Sequence, residues 1–122
     1  MKASAFSGIL ILVVIALVLW NASYVRNVTD TLLAMVAQLT DEPSPSSLEQ
    51  AKDIQLYLKD NETLLSLSVP YQTLDRSIEL AGSLAEYASM GSHFEYAATK
   101  ALLTDAIKDM ARLEKVSFKN VF

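Results

Sequence analysis

The N-terminal segment of the chain is uncharged over a length that matches a lipid bilayer. Between Lys2 and Arg26 there is no charged residue, and residues 8–20 are almost wholly aliphatic until they end in a tryptophan. Wound as an α-helix at about 1.5 Å per residue, such a run crosses the roughly 30 Å hydrocarbon core of a membrane. We therefore expect a transmembrane helix over residues 5–25, preceded by a short N-terminus at residues 1–4.

The residues that follow the apolar run favour a retained anchor over a cleaved signal peptide. Cleavage requires small residues ahead of the cut, and cutting after Ala22 or Ser23 would place Trp20 or Asn21 at one of those positions. Trp20 and Tyr24 instead stand one helical turn apart, as aromatic residues at headgroup depth do. A cleaved signal is the alternative. A pilin-type N-terminus would carry a glutamate early in the run, and the run has none.

The charges on the two flanks of the run predict its orientation. Lys2 precedes the run, whereas Arg26 is followed by the acidic residues Asp30, Asp41 and Glu42. Because positive flanks stay on the cytoplasmic side, we expect a cytoplasmic N-terminus and a cell-membrane location, with the bulk of the chain extracytoplasmic.

The composition of residues 26–122 restricts the remainder to one small domain. This part holds nine Lys and Arg against fourteen Asp and Glu, and the chain has no cysteine. About a hundred residues form one modest core, which must be stabilised without disulfides or thiolate metal sites. The acidic balance argues against nucleic acid as a partner.

The spacing of apolar residues predicts an all-α protein. Its N-terminal transmembrane helix is continuous with a small antiparallel three- to four-helix bundle over residues 26–113, with helices at about 26–40, 47–68, 71–89 and 93–113. Ser46 and Glu49 have the spacing of a capping box. The residues expected inside are Val25, Val28, Leu32, Met35 and Leu39; Leu48, Ala51, Ile54, Leu58 and Leu65, widened by Leu64 and Leu67; Leu74, Ile78, Ala81, Ala85 and Ala88; and Phe94, Ala98, Ala101, Leu102, Ala106, Met110 and Leu113.

The last residues have a different pattern. Val116, Phe118 and Phe122 fall on one side of an extended segment. We expect residues 114–122 to be an extended C-terminal tail that lies in a groove of the bundle. A docking peptide for a partner protein is the alternative.

Residues 113–122 also resemble the closing segment of a bacterial family of short, single-pass helical membrane proteins, the domain-of-unknown-function family 4363. The family ends in a Ser-Leu-x-Asn-Ile-Phe-like motif, which Ser117, Asn120 and Phe122 match, with Phe118 and Val121 as apolar variants. Residues 74–78 and 84–87 are similar to its third helix.

The chain departs from that family in two places, and only the last ten residues are specific. It lacks an aromatic residue early in the second helix, where Leu48 or Ala51 stands, and has Pro70 and Tyr71 where relatives often carry a histidine. The resemblance implies a membrane-anchored helical protein and brings no catalytic residues or cofactor.

The remaining polar residues have no spacing typical of a catalytic, cofactor or metal site. His93 is the only histidine, and Met90 stands where a Glu-x-x-His metal motif would need a glutamate. The carboxylate pairs Asp41/Glu42 and Glu49/Asp53 are expected in a loop and on a solvated helix face. We therefore predict that the protein is not an enzyme.

A basic stripe is the one charged pattern with a functional interpretation. Lys108, Arg112, Lys115 and Lys119 step by four, three and four, and Lys100 lies on nearly the same side. Such a stripe could contact anionic headgroups or a wall polymer. The alternative is ordinary ion pairing, with partners among Glu49, Asp53, Asp60 and Glu62 of the second helix or Asp105 and Asp109 of the same helix.

Together these patterns predict a structural or interaction component of the bacterial cell envelope. The expected partners are the bilayer, through residues 5–25, and an envelope protein, with a homo-oligomer left open. The candidate contact residues are Lys108, Arg112, Lys115, Lys119, Phe118, Asn120 and Phe122. An extracytoplasmic ligand-sensing helical bundle is the alternative.

Overall fold

A computed structural model describes the backbone of residues 2–121 and the side chains of residues 5–112. Its helices are α1 (Lys2–Ala37), α2 (Pro45–Asp60), the short α3 (Glu62–Leu65), α4 (Tyr71–Met90) and α5 (His93–Val121). The described backbone contains no strand. The prediction of an all-α protein, in which a long apolar N-terminal helix leads into a helical bundle, is confirmed.

Helix α1 has two halves with opposite surroundings. It runs for 36 residues without a break, since it contains no proline, and its single glycine, Gly8, does not interrupt it. Residues 5–20, here called the apolar half, expose nearly all of their large aliphatic side chains. Residues 25–37 are the core half, with Val25, Val28, Leu32 and Val36 buried. Met35, which the sequence predicted inside, is only half-buried at the edge of the core, and Val36 faces the core instead.

The bundle alternates in direction from helix to helix. Helix α2 packs on α4, α4 on α5, and α5 on α1. Near the end of α1, the Tyr96 hydroxyl of α5 donates to the Thr40 carbonyl at 2.8 Å. At the other end of the core half, the Tyr24 hydroxyl donates to the Asn61 side chain, just after α2. Helices α2 and α5 therefore descend toward the apolar half, and α4 rises away from it.

Helix α2 begins earlier than the sequence predicted. Ser44 is its N-cap: its hydroxyl accepts from the Ser47 amide at 3.1 Å, and the Ser47 hydroxyl accepts from the Ser44 amide at 2.7 Å. The predicted capping box at Ser46 and Glu49 is wrong, as is the start at residue 47. Pro45 is the reason, because its fixed φ and missing N–H suit the first helical position.

The second predicted helix, residues 47–68, is wrong in its C-terminal part. Helix α2 ends at Asp60, where Asn61 has left helical geometry and its side-chain amide donates to the Tyr57 carbonyl at 2.8 Å. The chain then makes the single turn of α3 and reaches Pro70. Leu65 remains buried, but Leu64 and Leu67 are exposed rather than widening the core.

Helix α4 agrees with its prediction. All five residues expected inside are buried, and Leu84 joins them. It ends at Met90, where Gly91 takes a left-handed conformation with φ of 70°. Only glycine adopts such a φ without strain, so the predicted break at residues 90–92 is confirmed.

The inward face of α5 was predicted wrongly. Phe94 and Leu102 are exposed by 81% and 44%, and Ala98 and Ala101 are exposed as well. Ala106 and Met110 face inward as expected, while Leu113 lies outside the described side chains. The buried residues of α5 are Tyr96, Thr99, Leu103, Ala106, Ile107 and Met110. Because one residue turns a helix by about 100°, the wrong choice among neighbouring apolar positions rotated the predicted face between residues 94 and 102.

The backbone of α5 also corrects the prediction for the C-terminus. It is helical to Val121, so residues 114–121 do not form the extended tail, and Phe122 lies outside the described residues. No proline or glycine follows Gly91 to stop the helix. An alternating apolar pattern over so few positions does not determine the conformation of this segment, because nothing interrupts the helix that precedes it.

Candidate functional site

The fold leaves the apolar half of α1 exposed. None of its most apolar stretch is buried inside the protein. Among the described residues, α1 is the one helix that is long and apolar enough to span a membrane. A helix that is apolar on every side is stable only when protein or lipid surrounds it.

An aromatic pair marks the boundary between the two halves of α1. The rings of Trp20 and Tyr24 stack with centroids 5.7 Å apart and planes inclined by 18°. The predicted spacing of one turn is confirmed, with both rings on one side of the helix. Amphipathic rings of this type are enriched at membrane–water interfaces.

The connection between α2 and α4, residues 61–70, is bonded to α1 at this same boundary. We call it the anchor-side connection. The Ser68 hydroxyl donates to the Asn21 side-chain oxygen at 2.7 Å, and Asn61 accepts from the Tyr24 hydroxyl. Leu65 and Val69 fill the space beneath the bundle and are fully or nearly fully buried. Sequence reasoning missed these bonds, because nothing local pairs residues 47 positions apart.

The structure divides the predicted basic stripe. Lys108 is exposed, while Arg112 donates to Asp109 of its own helix at 3.0 Å. Lys100 is half-buried, with its ammonium 3.8 Å from the Asp41 carboxylate and 3.4 Å from the Leu39 carbonyl. One predicted pair within α5, Arg112 with Asp109, is therefore confirmed. Among the described side chains, the acids of α2 form no ion pair with the stripe.

The C-terminal members of the candidate contact set are described only by their backbone. Lys115, Phe118, Lys119 and Asn120 stand on the last turns of α5, and their side chains lie outside the described residues, as does Phe122 altogether. Since α5 descends toward the apolar half of α1, these turns lie at the same end of the bundle as that half.

Two open depressions flank α5. The first, of about 380 Å³, lies between the α1–α2 loop and α5, with Asp41, Lys100, Thr104 and Asp105 on its walls. The second, of about 340 Å³, is lined by Gln72, Arg76 and Asp109 among others. Both are lined by a mixture of charged and neutral side chains open to solvent. Neither encloses a small molecule as a substrate cleft does.

The candidate titratable groups stand apart from one another. His93 is exposed at the first position of α5, and the pairs Asp41/Glu42 and Glu49/Asp53 are exposed in the loop and on α2. The described residues bring together no group of three His, Asp or Glu side chains that could hold a metal ion.

The far end of the bundle carries two exposed apolar side chains. Met90 and Phe94 flank the α4–α5 turn, on the end away from the apolar half of α1. We call this pair the distal tip. The sequence does not indicate this pair, because Phe94 fits an apolar helical pattern that predicts it in the core.

In comparisons with known proteins, no protein-family model, curated protein or solved structure matches the chain.

Proposed function

We propose that the protein is a single-pass membrane protein of the bacterial cell envelope, in which the apolar half of α1 is a retained anchor and the helical bundle is a structural or interaction module. The division of α1 carries this proposal. One unbroken helix has an exposed aliphatic half without charge and a buried half in the core of the bundle. A bilayer is the surrounding that makes the exposed half stable.

The charges support an extracytoplasmic bundle. Lys2 precedes the anchor, and the first charges after Arg26 are acidic, which favours a cytoplasmic N-terminus. Membership of the domain-of-unknown-function family 4363, whose members share this layout, is part of the proposal.

The polar groups of the bundle support a binding role better than a catalytic one. The buried hydroxyl groups of Tyr96, Thr29 and Ser77 bond to backbone carbonyls and so maintain the fold. The exposed apolar side chains of the distal tip are at one end of the bundle, and the last turns of the α5 backbone are at the other. Exposed apolar side chains next to polar surface are typical of protein interaction sites.

Recovery of bound proteins tests the interaction role. The full chain is purified in mild detergent from membranes treated with a short cross-linker, in parallel with a variant that lacks residues 114–122. We expect one envelope protein in near-stoichiometric amount with the full chain. An interaction through the end of α5 predicts a loss of about tenfold for the shortened variant, equivalent to roughly 1.4 kcal/mol.

A matched pair of substitutions controls for general damage. Phe94→Ser alters the distal tip and Leu102→Ser alters an exposed apolar residue on the side of α5. Equal recovery of the bound protein with all variants would show that neither the distal tip nor the end of α5 is the interaction surface. The absence of any stoichiometric partner of the full chain would contradict the interaction role itself.

A further inference from the structure

We propose that the anchor-side connection is a second membrane contact, in which Leu67, together with Leu64 and Tyr71, enters the interface of the leaflet where α1 emerges. The inference rests on the proposed anchor and adds a membrane-facing surface to the bundle.

The depth of the connection follows from its bonds to α1. A hydrocarbon core of roughly 30 Å takes about 20 helical residues, so a span that begins at Ala5 ends near Tyr24. Ser68 bonds to Asn21 at 2.7 Å, and Asn61 bonds to Tyr24. Both ends of the connection are therefore attached to about the last turn of the span, at the depth of the interface.

The side chains of the connection separate into two sets. Leu65 and Val69 point into the bundle and are 0% and 2% exposed. Leu67, next to the Ser68 that bonds to the anchor, is 69% exposed, and Leu64 is 39% exposed. Tyr71, at the start of α4, is exposed as well. The exposed set is thus two leucines and a tyrosine, residues that favour the membrane interface.

The charge pattern is that of a membrane-facing segment. Residues 63–74 are free of charge, the longest such stretch after Arg26, between Glu62 and Asp75. Elsewhere in residues 26–122 charged side chains recur at shorter intervals. A loop that only faced water would have no need for this exclusion of charge.

Backbone amides of the connection are hydrogen-bonded within the connection itself, as a poorly hydrated environment requires. The amides of Ser66, Leu67 and Ser68 donate to the carbonyls of Glu62, Leu64 and Leu65, and that of Val69 donates to Leu65 at 2.8 Å. The Ser66 hydroxyl donates to the Thr63 carbonyl at 2.7 Å. Because unpaired amides are costly away from water, such internal pairing is a requirement for entry into the interface.

Quenching of a fluorophore by spin-labelled lipids tests the inference on the full chain. The chain has no cysteine, so each single-cysteine variant is labelled at one place. Leu67→Cys and Tyr71→Cys probe the proposed contact. Met90→Cys is the matched control, since Met90 is 67% exposed at the opposite end of the bundle. Leu12→Cys reports the anchor. Each labelled chain is placed in phosphatidylcholine–phosphatidylglycerol vesicles with a nitroxide on the upper acyl chain.

We expect strong quenching at positions 12, 67 and 71, and at least about threefold weaker quenching at position 90, which lies farther from the membrane by about the 30 Å length of α4. Quenching at 12 without quenching at 67 and 71 overturns the inference and leaves the anchor in place. No quenching at 12 overturns the anchor itself. Blue-shifted emission at 67 without lipid quenching would mean that a second copy of the chain covers the leucines, which also overturns the inference.

Discussion

Tyr96 decides which side of α5 faces the core. Its ring is fully buried, and its hydroxyl donates to the Thr40 carbonyl, just beyond the end of the core half of α1. A buried tyrosine needs such a partner for its polar end, and the sequence of α5 alone does not contain one. With Tyr96 inside, Leu103, Ile107 and Met110 follow at helical spacing, and Phe94 and Leu102 are left outside.

Two neighbouring leucines test this face directly. Leu103→Ala should lower the free energy of unfolding by about 2–5 kcal/mol, because it opens a cavity where the side chain is fully buried. Leu102→Ala, the matched change one residue earlier, should alter it by less than about 1 kcal/mol, since that side chain is 44% exposed and leaves no closed cavity. Urea unfolding in detergent micelles measures both. Equal losses would contradict the observed face of α5.

The same substitution by alanine is expected to affect stability differently at two glycines. Gly91→Ala should destabilise by about 1 kcal/mol, because φ of 70° strains any residue with a Cβ. At Gly82, inside α4, a Cβ would come 2.7 Å from the end of the flexible Gln55 side chain, which can move. Alanine also favours helix by up to about 1 kcal/mol over glycine.

Gly82→Ala should therefore leave the midpoint of thermal unfolding unchanged or raise it, while Gly91→Ala lowers it. A decrease for Gly82→Ala as large as that for Gly91→Ala would show that Gln55 is held in place. The double variant Gly82→Ala/Gln55→Ala would then recover the loss.

At the scale of elements, α1 is the helix that joins the bundle to the proposed membrane anchor. Its core half is buried from Val25 onward, without a linker between this half and the apolar half. A helix that continues from a bilayer into a domain core holds the domain at a set height and angle. The bonds of Asn21 and Tyr24 to the anchor-side connection reinforce this attachment.

A flexible insertion tests this continuity. Gly-Ser-Gly-Ser placed after Arg26 should lower the free energy of unfolding by at least about 2 kcal/mol, because it separates Val25 from Val28 and puts glycine inside a helix. The same insertion after Glu42, in the exposed α1–α2 loop, should cost about 1 kcal/mol or less. Thermal unfolding followed by circular dichroism compares the two. Full stability of the first insertion would refute the continuous helix.

At the scale of the whole molecule, the proposed topology places the distal tip outside the cytoplasm. In intact cells, a membrane-impermeant maleimide should label Met90→Cys fully and leave Ser4→Cys unlabelled until the membrane is disrupted. Both cysteines are single, because the chain has none of its own. The reverse pattern would show an inverted orientation and would contradict the assignment from Lys2 and the acidic residues after Arg26.

The apolar helix, the helical class and the core faces of α1 and α4 could be predicted from the sequence. Each rests on local properties: charge-free length, and apolar spacing that admits one face. The row from Leu74 to Ala88 shows this, since all five residues predicted to face inward are buried. Helix ends marked by Gly91 are equally local, because the left-handed geometry is specific to that residue type.

The start of α2 is set locally, by Pro45 and the capping bonds between Ser44 and Ser47. The face of α5 and the exposure of Leu64 and Leu67 are instead set by tertiary packing, since α5 carries two overlapping apolar rows. The choice between such equal local alternatives depends on partners far along the chain, as Thr40 is for Tyr96 and Asn21 is for Ser68. Those bonds form only when the helices have packed, so the physical cause lies in the assembled bundle.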